Sequence, residues 1–374
     1  MTIFPLFVGV KTGRLLYDLY DRHVYFIRGA WIIESGPAIS EYPQVITFLF
    51  GINRFLFSGI DVDLQPVLFA AFFSLQMIMI LFLVFKGLLE YLPPSFRNYA
   101  YLFLLPPAVY FSYNRFDILP AYLCLIAYLA SAKKQWAMAG FVLAIATFTK
   151  WYPVLLFPAF FMYAKTIEAK FQWKMVSTFA VTSFAIVSFT YLLGGMETVL
   201  APYQFHTSRS MELVSLPVLL DKASFNLLSI HINMPVIFTL FFILQIAAPV
   251  LVLILKLDTL EQLINYCIVA IGLFIFFARI WSPQWFLWLL PFLVLSAKNM
   301  KTVGLIAVYS TISYINFPFL LEYTGWDSAP LQASSMLTYV ILGVIIVRAF
   351  KNLVFRKPLL FLKNDPSPIG IETV

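Results

Sequence analysis

The chain of 374 residues is 61% hydrophobic and 11% charged, where an ordinary soluble domain carries roughly 25% charged residues. A mean hydropathy of +0.88, spread along the chain and not confined to one anchor, excludes a soluble globular protein and makes lipid the solvent of most side chains. The apolar runs are long and lack strand-like alternation, which argues against a transmembrane β-barrel, and the net charge of +7 does not imply nucleic acid. The expected fold is all-α, a polytopic bundle of transmembrane helices.

No signal-peptide pattern opens the chain, so insertion is expected to rely on the membrane helices themselves; the apolar stretch 1–10 is too short to span. Residues 11–42 are polar and aromatic, and the run 45–57 that follows reads as a juxtamembrane or re-entrant helix. Apolar runs then cover 66–85, 98–111, 116–132, 135–149, 152–164 and 174–193, and after a polar break 234–255, 263–277, 284–297, 302–319 and 332–347. A spanning helix needs about 20 residues, so several of these runs are expected to end in a protein-lined cavity. The count is about 11 membrane helices or half-helices, plus juxtamembrane helices; 216–232 reads as an amphipathic helix at the outer interface. The expected organisation is one transmembrane domain over 1–354, with 11–44 and 194–233 as extracytoplasmic loops and 355–374 as a cytoplasmic tail. Cys124 and Cys267 both lie in apolar runs and read as small buried residues.

Assigning alternate ends of the runs to opposite sides places Lys86, Arg97, Lys133, Lys134, Lys165, Lys170, Lys174, Lys256, Lys298, Lys301, Arg348, Lys351 and the basic residues of the tail on one side. By the bias of basic residues toward the cytoplasm, that side is cytoplasmic. Asp18, Asp21, Arg22, Glu41, Arg115, Asp117, Lys150, His206, Arg209, Glu212 and Arg279 then fall at the outer ends. Ionisable residues in tight turns between short apolar helices default to a site hypothesis, with snorkelling charges and structural ion pairs as the rival reading.

Four outer segments carry candidate chemistry. The first runs from Asp18 and Asp21 through Tyr25 to Glu41 and Tyr42. A partly desolvated carboxylate beside the bilayer suits a general base acting on a sugar hydroxyl, and an ordinary solvated loop is the alternative. The second places Arg115 and Asp117 before an inward helix and returns Lys150 and Tyr152 at the outer end of the next hairpin. Arg115 and Lys150 facing one cavity would neutralise a phosphate or diphosphate on a lipid carrier. The third is the polar stretch 203–215 with His206, Arg209 and Glu212. The fourth, Arg279-Ile280-Trp281-Ser282-Pro283-Gln284-Trp285, offers rings for an interfacial belt or for stacking on a sugar. Walker loops, paired cysteines and metal-binding histidine motifs are absent from the sequence, so no metal site is assigned and no cofactor is required, although Asp18 with Asp21 is an acidic pair that could hold a divalent cation.

At these residues the chain resembles the polytopic, polyprenol-phosphate-sugar-dependent glycosyltransferases of the GT-C class, in the bacterial and archaeal branch of mannosyl- and arabinofuranosyltransferases. Asp21 to Tyr25 is similar to the family's Asp-x-x-Val-Tyr motif, and Glu41-Tyr42-Pro43-Gln44 to its Glu-Tyr-Pro-Pro motif. Arg115-Phe116-Asp117 matches the Arg-Phe-Asp step. Ala139-Gly140 followed by Lys150-Trp151-Tyr152-Pro153 resembles the Ala-Gly to Lys-x-Tyr-Pro hairpin, and Ser282-Pro283-Gln284-Trp285 the Ser-Pro-Gln-Tyr element. His206-x-x-Arg209 resembles the start of a stretch reading His-x-x-Arg-x-x-Gln-x-Glu-Ser, with Glu212 at the Gln position and Val214 at the Glu position.

The resemblance implies a GT-C-type bundle in the cell membrane and inverting sugar transfer on its extracytoplasmic face. Asp21 matches the catalytic base, with Asp18 as its alternate. Arg115, Lys150, His206, Arg209 and Arg279 become candidates for holding the donor phosphate, and Tyr25, Glu41, Tyr42, Asp117, Tyr152, Glu212, Gln284 and Trp285 for supporting the site. The donor is a polyprenyl-phosphate sugar, mannose ahead of others, and the acceptor a lipid or glycan. Two rivals use the same cavity: a flippase for a lipid-linked sugar, and a non-catalytic subunit of a glycosyltransferase complex.

Overall fold

The computed structural model describes residues 19–34, 40–251, 255 and 257–355. Asp18, the stretch 1–10 and the tail beyond Phe355 lie outside the described residues. Within them every regular element is a helix. Helices Gln65–Tyr91, Trp173–Ser208, Met300–Thr324 and Ala329–Val354 are long and apolar enough to cross a membrane, and Pro106–Asn114 with Ile118–Ala132 makes a fifth span if that pair, bent by 109°, is counted as one.

In chain order the elements are α1 (Leu19–Arg28), the single turn α2 (Trp31–Glu34), α3 (Gln44–Leu56), α4 (Gln65–Tyr91), a 3-10 helix (Arg97–Leu104), α5 (Pro106–Asn114), α6 (Ile118–Ala132), α7 (Trp136–Thr149), a 3-10 turn (Tyr152–Leu156) and α8 (Phe157–Glu168). Then come α9 (Trp173–Ser208), α10 (Leu216–Leu228), α11 (Met234–Leu251), α12 (Leu260–Phe276), a 3-10 turn (Pro283–Trp285), α13 (Phe286–Ser296), α14 (Met300–Tyr314), a π-helical turn (Ile315–Leu320), α15 (Leu321–Thr324) and α16 (Ala329–Val354).

The centre is built from α12 and α13. Every residue from Leu263 to Ile271 and from Phe286 to Leu295 is buried, as expected of helices that are apolar all round. Such a helix still needs its first amides satisfied. Thr259 and Gln262 do this for α12 through a reciprocal capping box, and Lys298 closes over the buried Glu261 at 2.6 Å. Around this pair pack α6, α8, α14 and α16, with α7 between α6 and α9. Cys124 and Cys267 are both free and buried.

Three expectations change. The run 98–111 is two elements, because the consecutive prolines Pro106 and Pro107 have no N–H to extend the preceding 3-10 helix and instead open α5. The stretch 194–233 is mostly helical. The backbone leaves the helical region at Gly194 and Gly195, where Gly195 takes a φ of 69° that favours glycine, and a second helical limb then carries on to Ser208. The run 216–232 ends as a helix at Leu228. Its polar residues make structural bonds: Asp221 accepts from the Ile232 amide at 2.7 Å and Lys222 pairs with Asp327 before α16.

The expected helix 45–57 is present as α3, where Asn53 and Gln76 exchange side-chain amide bonds with α4 at 2.6 and 3.1 Å. The Ala139-Gly140 pair has a packing role. A Cβ on Gly140 would sit 2.3 Å from the Met175 carbonyl oxygen, backbone that cannot swing away. Gly140→Ala is therefore expected to cost about 1–3 kcal/mol by overpacking α7 against α9. Gly87→Ala, with open space around it, is expected to be neutral or stabilising by about 0.5–1 kcal/mol. Thermal unfolding of both variants in one detergent checks the pair.

Candidate active site

The turns at one end of the helices converge on a cavity of about 1290 Å³. Apart from Asp18, all of the residues expected from sequence line it: Asp21, Tyr25, Glu41, Tyr42, Arg115, Asp117, Lys150, Tyr152, His206, Arg209, Glu212, Arg279, Gln284 and Trp285. They come from segments separated by up to some 260 positions, so their meeting is a tertiary fact.

Asp21 sits in the first turn of α1, where a carboxylate suits the helix dipole. It is ion-paired with Arg115, both side chains being mostly buried. What puts them together is Arg22, 1% exposed. Its guanidinium donates to Ser74 Oγ on α4 at 2.8 Å and to Asn114 Oδ1 at the end of α5 at 2.9 Å. Ser74 Oγ donates on to the Tyr113 carbonyl at 2.8 Å, and Asn114 Nδ2 to that of Tyr110 at 2.9 Å. Arg22 thus fixes the residue after Asp21 to the residue before Arg115. Sequence reading placed Arg22 among outer polar residues and assigned it no role, because its partners lie 52 and 92 positions away.

Tyr25 and Tyr42 act as walls. Tyr25 is stacked on Phe50 at 4.6 Å and meets Tyr42 and Phe116 edge-on at 5.4 and 5.7 Å. Burial, with the Glu41 carboxylate adding to it, pushes the Tyr42 phenol far above its ordinary range, so it is a neutral donor throughout the physiological range. Glu41 is held by Arg28 at 2.5 Å.

Asp117 stands at the N-cap of α6 but makes no side-chain bond to its own helix. Its Oδ1 accepts from Trp288 Nε1 at 2.7 Å and lies 3.2 Å from Lys150 Nζ. Tyr152 stacks on Trp288 at 4.3 Å, and Trp285 stacks on the same indole at 4.7 Å. Trp288, absent from the sequence-derived set, therefore links Asp117, Tyr152 and Trp285; only its place three residues after Trp285 hinted at it.

The second limb of α9 and the segment after it also line the cavity. Arg209 pairs with Glu212 at 2.5 Å, and Glu212 also accepts from the Trp281 amide at 3.1 Å. Burial pushes the Glu212 carboxyl up, opposed by Arg209 and the Trp281 amide. Arg279 donates to the carbonyls of His206 and Thr207, and among the described residues no carboxylate lies within ion-pair distance of it. The His206 ring meets Trp151 edge-on at 4.8 Å, and Trp151 stacks on Tyr203 at 4.7 Å.

The lining also includes Phe238, Thr239, Phe241, Phe242 and Gln245 of α11 with Phe274, Phe277 and Leu321, and Phe317, whose ring lies 5.4 Å from the Arg115 guanidinium. Leu240 and Ile243 of the same helix are exposed and are not among the lining residues. Among the described residues no three His, Cys, Asp or Glu side chains come together as a metal site. The cavity can thus offer ion-paired carboxylates, several cations and aromatic faces beside apolar side chains. The chain matches no protein-family model and no curated protein.

Proposed function

We propose that this chain is an integral-membrane glycosyltransferase of GT-C type that moves a sugar from a polyprenyl-phosphate carrier to a hydroxyl of a lipid or glycan acceptor. The observation that carries this reading is that one cavity is lined both by the charged side chains Asp21, Arg115, Lys150, Arg209 and Arg279 and by the apolar side chains Phe238, Phe241 and Phe242 of α11. A lipid phosphate needs both at once: a low-dielectric arm for its chain and cations for its head group. The charge bias of the loops supports placing this end of the bundle outside the cell, with the shorter apolar helices as half-spans leading to the cavity.

In the proposed reaction Asp21 accepts the proton of the acceptor hydroxyl. That oxygen bonds to the anomeric carbon from the face opposite the phosphate, with inversion, as the bond from carbon to phosphate oxygen breaks. Polyprenyl phosphate leaves with the electron pair, and the cations offset its added charge.

The test is protein reconstituted in lipid and given a panel of polyprenyl-phosphate sugars with membrane glycolipid acceptors. The expected result is glycosylated acceptor and free polyprenyl phosphate in equal amounts from one donor. Movement of the intact donor between leaflets, without consumption of any donor in the panel, would establish the flippase instead.

A further inference from the structure

Among the described lysines, Lys150 is the one found over aromatic rings. Its side chain is 21% exposed, and that exposure is to the cavity. Its Nζ lies 4.5 Å from the ring centre of Phe116 and 5.5 Å from that of Trp288. The carboxylate 3.2 Å away belongs to Asp117, 1% exposed and locked by the Trp288 indole. An ammonium so enclosed loses water on most sides, and rings compensate only partly for hydration.

The charged groups around it divide unequally. Arg115 from the turn between α5 and α6 and Arg209 from the segment after α9 both oppose its charge, as does burial, which is the largest influence; Asp117 favours it. His206, on the last turn of α9, is also within its field. The net effect holds the Lys150 ammonium below the ordinary lysine range. The nearby phenol of Tyr42 is pushed upward by burial and by the Glu41 carboxylate.

We infer that Asp117 is a positioning residue that keeps Lys150 charged and aimed into the cavity, giving the site an alkaline limit set by that one lysine. In the glycosyltransferase reading, on which the activity readout rests, the charge that disappears is one that faces the departing phosphate. The direction follows from the sign of the group: lysine is charged below its pKa, so function is present at lower pH and lost as pH rises. Asp117→Asn removes the favourable neighbour and moves the loss to lower pH, while Lys150→Arg supplies a cation that does not deprotonate in this range.

The experiment is competitive acetylation of the full-length protein in lipid nanodiscs with acetic anhydride across a pH series, quantified at each lysine by mass spectrometry. Lys150 is expected to titrate below the exposed Lys86, and Asp117→Asn to lower its midpoint by about one to three pH units, the influence of an opposite charge at this range. Sugar transfer by the same samples should show an alkaline limb whose midpoint moves to lower pH in parallel with the Lys150 midpoint, and Lys150→Arg should abolish that limb. A Lys150 midpoint equal to that of Lys86 and unchanged in Asp117→Asn would overturn the inference. So would an alkaline limb that persists in Lys150→Arg, which decides the matter if Asp117→Asn fails to fold. A native protein that labels as expected but transfers no sugar would sink the glycosyltransferase reading and leave the Asp117–Lys150 pair standing.

Discussion

Replacing Asp21 by asparagine is expected to reduce sugar transfer by about 10²–10⁴-fold, the contribution of a positioned general base, with the protein folded and donor binding retained. The amide keeps the shape of the carboxylate but cannot take the acceptor proton. Because Asp21 is paired with Arg115, its removal also releases a cation inside the cavity, and donor affinity should be equal or higher in the Asp21→Asn protein. Rates at saturating donor and donor binding, measured on the same preparation, separate these effects. Full transfer by folded Asp21→Asn protein would move the base to another residue. The Arg115→Ala protein is expected to lose rate and donor affinity together, because it removes both the support of Asp21 and a phosphate contact.

The second large effect is on stability. Arg22→Ala takes a 1%-exposed guanidinium from between three helices and leaves Asn114 Oδ1 without the donor that reaches it at 2.9 Å. Charge-assisted hydrogen bonds contribute about 1.5–3 kcal/mol each, and breaking a buried charged network costs about 3–5 kcal/mol. A loss of about that size is expected, read as a lower unfolding temperature in detergent. Arg22→Lys should recover part of it through one bond to Ser74 or Asn114. A melting temperature unchanged in Arg22→Ala would show that the α1–α4–α5 junction is held by its apolar contacts alone.

Helices were the legible part of this sequence, since long apolar runs have few other ways to satisfy their backbone in lipid. Their interruptions were less so. Pro106-Pro107 could be seen to punctuate a run, yet the run 98–111 reads as continuous by hydropathy. Gly194-Gly195 reads as the start of a loop, whereas the polar residues beyond are adequate helix formers and a second limb begins there. Residues that line the cavity were recognisable because ionisable groups are costly between apolar helices. How they pair was not, because nothing local to Asp117 names Trp288, 171 positions away, and nothing in Asp21-Arg22 reveals that one side chain faces the cavity and the next is sealed against α4.

The pairing of acids with bases bears on turnover. Arg115, Lys150 and Arg209 each have a carboxylate partner in Asp21, Asp117 and Glu212, so an arriving anion competes with ligands that are part of the protein. Three built-in competitors weaken the grip on a charged product more than they slow its arrival, and each reclaims its cation as the product departs. Under the proposed sugar transfer, release of polyprenyl phosphate back into the bilayer would be served by a binding site that is, when empty, already close to ionic balance.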